Sequence, residues 1–129
     1  MLRRLLLLSA ALTCFAFAQG PVYEMRTYTC NEGKLEALKA RFRDHTIAIF
    51  NRHGMESVGY WVPQDGDRSK TTLIYILKHP SRDAAKQHWA EFNADPEWKK
   101  VAADSEANGK IVNHVDSVFL EATDFSPIK

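Results

Sequence analysis

Val22-Tyr23-Glu24-Met25-Arg26-Thr27-Tyr28-Thr29-Cys30 alternates with a period of two. Val22, Glu24, Arg26 and Tyr28 fall on one face, and Tyr23, Met25, Thr27 and Thr29 on the other. That alternation, in β-branched and aromatic residues, predicts a strand. Its first face carries a carboxylate, a guanidinium and a phenol in one row, which fits an exposed edge or a polar pocket. Met25 is the better match for an apolar helix, so the polar row is expected on the open side of the sheet.

Downstream, Asn31-Glu32-Gly33 is a turn and a helix entry. Leu35, Leu38, Phe42, His45 and Ile49 recur at spacings of three and four, which predicts a helix over residues 34–52 with one apolar stripe. Gly54 suits a left-handed cap at its end, and His53 a simple dipole complement. Residues 55–62 alternate again as a second strand, with Tyr60 and Trp61 on opposite faces. Residues 63–70 are dense in turn formers. Residues 71–78 form a third strand whose apolar run, Tyr75 included, places it centrally. Ser81 caps a second helix, broken at Asp95-Pro96, where Asp serves as N-cap and proline as the first residue of a further helix. Residues 111–122 are the last strand.

The order strand, helix, strand, strand, broken helix, strand is the ferredoxin-like βαββαβ pattern, an α+β fold on an antiparallel four-stranded sheet. Helices cover one sheet face. The other keeps Trp61 or Tyr60, and Phe119 or Leu120, without a covering layer. An apolar face of that kind implies an interface or a groove, and a homodimer packed sheet against sheet would cover it.

Upstream, Arg3-Arg4, a leucine-rich run and Ala16-Phe17-Ala18 read as a signal peptide over residues 1–18, leaving one domain over residues 19–129. The expected location is therefore exported, periplasmic or secreted. The apolar run is short for a bilayer, so no membrane span is expected after its removal. Losing Arg3 and Arg4 takes the formal charge from +1 to −1, which gives no electrostatic case for nucleic acid. Cys14 leaves with the signal, and Cys30 remains without a disulfide partner.

Glu24, Arg26, Tyr28, His45, Trp61, Tyr75 and Phe119 are the candidate lining of a cavity. Each has a plainer reading. Glu24 and Arg26 make a structural ion pair beside a phenol, and His45 packs in the core. Trp89 and Trp98 pack helix against sheet, and His88 stands beside Trp89. The sequence has no H-E-x-x-H, paired Cys, G-x-S-x-G or glycine-rich phosphate loop. No metal, cofactor or catalytic residue is therefore assigned, and a binder is expected ahead of an enzyme.

Residues 23–29 followed by Gly33-Lys34-Leu35, then Ser81-Arg82-Asp83-Ala84-Ala85, Trp89, Phe92, Asp95-Pro96-Glu97-Trp98 and Lys99, resemble the NIPSNAP family over nearly all of the mature chain. The resemblance implies a dimeric α+β barrel, two ferredoxin-like units closing a cavity between their sheets. Relatives of that architecture include cofactor-free monooxygenases and haem-degrading enzymes, yet the family offers no catalytic set to carry over. Its eukaryotic members are linked to mitochondria and to vesicle or autophagy signalling, which a signal peptide does not fit. The expectation is an exported homodimer that binds a small, partly apolar ligand or a protein partner. The alternative is a cofactor-independent monooxygenase-like or other small enzyme using the barrel cavity. A third reading is an interaction module whose dimer fills the barrel.

Overall fold

A computed structural model describes residues 20–129, and the signal segment expected over residues 1–18 lies outside them. Strand β1 (Val22–Cys30) pairs antiparallel with both β3 (Thr72–His79) and β4 (Val112–Leu120). Strand β2 (Glu56–Trp61) pairs antiparallel with β3, which gives the sheet order β2-β3-β1-β4. This is the expected ferredoxin-like arrangement.

The register fixes which way each side chain faces. Glu24 lies opposite Leu77 and Phe119, Arg26 opposite Tyr75 and Ser117, and Tyr28 opposite Leu73 and Val115. Opposed residues share a sheet face. Leu73, Tyr75, Leu77 and His79 are buried under the helices, so the polar row of β1 points into the helix layer. This corrects the open-side placement expected for Glu24, Arg26 and Tyr28. The apolarity of Met25 is outweighed because Glu24 finds hydrogen-bond donors beneath the helices. Met25, Ile74, Ile76, Trp61, Val118 and Leu120 take the open face instead, and Trp61 stays 49% exposed there. Tyr60 and Phe119 turn inward.

The first helical segment has three parts: α1 (Leu35–Arg41), a π-helical turn (Phe42–Thr46) and α2 (Ile47–Arg52). The wide turn advances the stripe by one residue. Phe42, Thr46, Ile49 and Phe50 are buried while His45 is exposed, which corrects the core position expected for His45. The Thr46 hydroxyl donates to the carbonyl of Arg41, five residues back, at 3.2 Å.

A bulge between Ser57 and Gly59 brings Ser57 and Tyr60 to one side, with their hydroxyls 2.6 Å apart. A one-turn helix, α3 (Arg68–Thr71), takes the end of the expected loop and the first residue of the expected third strand. Ser81 caps α4 (Arg82–Ala94) by accepting from the Ala84 amide at 3.0 Å. Asp95 caps α5 (Pro96–Ser105) by accepting from the Glu97 amide at 2.8 Å. Its other oxygen accepts from His53 at 2.6 Å and Arg52 at 2.7 Å, bonds that hold the Asp95 carboxyl well below the usual carboxylate range. His53 thus ties the end of α2 to the α4–α5 corner, beyond complementing a dipole.

The rings of Tyr28, Phe42, Phe50 and Tyr60 surround Tyr75 at centroid distances of 5.3, 5.1, 5.9 and 5.5 Å. Tyr75 is therefore a core residue. Residues 121–129 fold back over one end of the open face, where Lys78 donates to the carbonyl of Lys129. The tail and Tyr23, Val58, Ile76 and Leu120 enclose about 290 Å³.

Candidate functional site

Four donors converge on the carboxylate of Glu24, which is 2% exposed. Its Oε1 accepts from Arg26 Nη1 at 3.0 Å and Ser117 Oγ at 2.8 Å. Its Oε2 accepts from Trp89 Nε1 at 2.6 Å and His79 Nε2 at 3.2 Å. The donors come from β1, β4, α4 and β3, so the cluster exists only once the sheet and helix layer have met. Burial raises the carboxyl pKa. Hydrogen bonds from His79, Trp89 and Ser117, with the Arg26 charge, outweigh it and bring Glu24 down to about 2.

An ionised carboxylate only accepts, so His79 Nε2 carries the hydrogen of that bond. The other nitrogen of His79, Nδ1, lies 3.2 Å from His88 Nδ1. One nitrogen of that contact must donate and the other accept, so the tautomers of the two rings are coupled. His88 continues toward the surface beside Gly54. Burial and the neighbouring His79 push its pKa below the ordinary imidazole value. The Arg26 guanidinium stacks 4.0 Å over the Trp89 ring, and its buried Nε has no acceptor. The Tyr75 hydroxyl donates to Tyr28 at 3.0 Å, and burial pushes the Tyr75 phenol well up.

Beside this cluster, α4 leaves a cleft of about 410 Å³ lined by Glu24, Arg82, Asp83, Lys86, Trp89 and Phe119. The Arg82 guanidinium lies 3.9 Å over the Phe119 ring. A roomier cleft of about 580 Å³ lies between α1 and α5. Lys100 pairs there with Asp104 and Arg41 with Ser105, and Asp44 and His45 also line it, but the converging hydrogen bonds lie under α4. Among the described residues, no three His, Cys, Asp or Glu groups stand together as a metal ion would require. No helix there is long and apolar enough to cross a membrane.

The structure brings Glu24, Arg26, Tyr28 and Tyr75 into one connected cluster and sets Phe119 at its edge. Trp61 stands apart on the open face, and His45 lies on the outside of the π-turn. His79, Trp89, Ser117 and Arg82 belong to the site and were not among the candidates. A signal for His79 was present, because the alternation through Leu73, Tyr75 and Leu77 continues to it.

The NIPSNAP family model matches residues 23–127. Protein Atu4242 from Agrobacterium tumefaciens is similar at 25% identity and a TM-score of 0.73, covering 84% of this chain and 99% of that one. An uncharacterized NIPSNAP-like domain protein from Burkholderia xenovorans gives 17% identity and a TM-score of 0.73, covering 84% and 90%. SnoaB, a cofactor-independent oxygenase from Streptomyces nogalater, gives 16% identity and a TM-score of 0.56, covering 84% and 98%, a likeness of fold alone. No protein of curated function matches the chain. Strand and helix motifs, sheet order and the span of the family match agree, and the chain belongs to the NIPSNAP family.

Proposed function

We propose that this NIPSNAP protein is an exported homodimer that holds a small, partly apolar ligand in the cleft beside Glu24. The observation that carries this reading is the cleft itself. Trp89 and Phe119 supply apolar wall, Glu24 a fixed polar floor, and Arg82 and Lys86 a charged mouth. Two aromatic walls beside four charged side chains suit a small molecule that is part apolar and part charged. Export is supported by Arg3-Arg4, the leucine run and Ala16-Phe17-Ala18. The dimer is supported by the open sheet face, where Trp61, Val118 and Leu120 are exposed.

Holding is favoured over reacting by the state of Glu24. Four donors occupy its two oxygens, and it stays ionised down to about pH 2. A general base near neutrality needs a higher pKa and a free lone pair in reach of substrate. The oxygenase alternative rests on fold likeness, which carries no function by itself.

Native mass spectrometry of the protein from its producing cells tests this reading. The expected species is a dimer of chains beginning at Gln19, with a retained small molecule that Phe119→Ala releases. A ligand-free wild-type protein that also fails to bind any small aromatic probe would overturn it.

A further inference from the structure

We infer that the cleft beside Glu24 takes an aromatic carboxylate, its acid group held by Arg82 and Lys86 and its ring lying against Phe119 and Trp89. This rests on the ligand-binding reading above and names the class of ligand.

The helix repeat supplies the first argument. Arg82, Lys86 and Trp89 are spaced four and three apart on α4, so they form one stripe, and all three line the cleft. Like charges four apart on a helix repel each other. Neither Arg82 nor Lys86 makes an ion pair among the described residues. Asp83 stands three residues before Lys86, close enough to offset part of its charge, but it makes no ion pair with either cation among the described residues. An anion seated between Arg82 and Lys86 removes the repulsion and meets two cations at once.

The floor does not cancel this charge. Glu24 is already matched by Arg26 at 3.0 Å. Counting Arg82, Lys86 and Asp83, the mouth keeps one positive charge over. A cationic ligand meets repulsion there, and a neutral one leaves the two cations facing each other.

The ring argument is geometric. Arg82 lies over the face of Phe119, its guanidinium carbon 3.9 Å from the ring centre, and its donors make no hydrogen bond among the described residues. A guanidinium offers a planar fork that matches a carboxylate in two parallel bonds. Cation and ring side by side thus suit a ligand that joins an acid group to a flat apolar body. A second space of about 380 Å³ adjoins the far side of the Arg82–Phe119 contact and contains Glu121. That carboxylate turns an anion away, so the acid end is directed toward Lys86.

Isothermal titration of the purified protein with 2-naphthoate, 2-naphthamide and 2-naphthylmethylammonium tests the class. Naphthoate is expected to bind at least about tenfold tighter than the amide, and the ammonium weakest, as charge-assisted bonds exceed neutral ones. Arg82→Gln and Lys86→Gln, both at exposed positions, are expected to erase the acid-over-amide preference. Acid and amide binding equally, with both lost in Phe119→Ala, would overturn the anionic class and leave the ligand-binding reading standing. Failure of all three probes to bind would overturn both.

Discussion

Arg26→Met takes the guanidinium from a carboxylate that is 2% exposed. A buried charge that loses its partner destabilises by roughly 3–5 kcal/mol, and three remaining donors place Glu24 at the lower end. The double variant Arg26→Met, Glu24→Gln should recover much of that loss in thermal melts, because the charge to be satisfied is gone. Acid should act on the same group. The ordinary value of 4.5 falls to about 2 in the folded protein, so the unfolded chain binds the proton first. The stability from Glu24 is full above pH 4.5 and is lost as pH falls toward 2, on the order of 3 kcal/mol across the window. Glu24→Gln should flatten the melting temperature between those limits. His88 acts higher up, with His79, Glu91 and His53 as the titratable groups around it. Its value lies below 6.5 when folded, so its contribution is present above pH 6.5 and declines as pH falls below that.

At the scale of elements, the π-turn divides predictions for adjacent residues. His45→Ala should change stability by no more than about 0.5 kcal/mol, because the side chain is exposed. Thr46→Val should cost about 1 kcal/mol through the lost bond to the Arg41 carbonyl. Urea melts of the two variants separate them. The spacing of Leu35, Leu38 and Phe42 showed the helix, but no residue type announces the extra position in the turn, so His45 was misplaced. The caps at Ser81 and Asp95 were legible because a cap is local chemistry. The orientation of β1 was not, because it depends on Trp89 and Ser117, 65 and 93 residues from Glu24. Met25 was the only guide to the face within the strand, and it carried less weight than three distant donors, His79, Trp89 and Ser117.

For the whole molecule, the exposed Trp61, Val118 and Leu120 should be buried between two copies. Sedimentation equilibrium should give twice the monomer mass, and Trp61→Asp with Val118→Asp should return the protein to monomer with its circular dichroism unchanged. A soluble wild-type monomer would refute the dimer. The tail belongs to this surface, since residues 121–129 cover one end of it and leave Phe125 85% exposed. Element order, with its two helical crossovers, was enough to give the sheet topology. The fold-back of the tail was not legible, because its anchor is a backbone carbonyl of Lys129 rather than a side-chain pattern.

The central place of β1 bears on how the chain is made. Its neighbour across Tyr23 is Leu120, so during synthesis β1 cannot fill both edges until residue 120 has followed. Pairings that distant in sequence close slowly, commonly on millisecond-to-second timescales for two-state domains. Translation at about 5–20 residues per second adds several seconds during which β1 lacks that partner. Under the export reading this delay is useful: a nascent chain that cannot yet close its sheet stays threadable, and compact folding waits until the polypeptide has crossed.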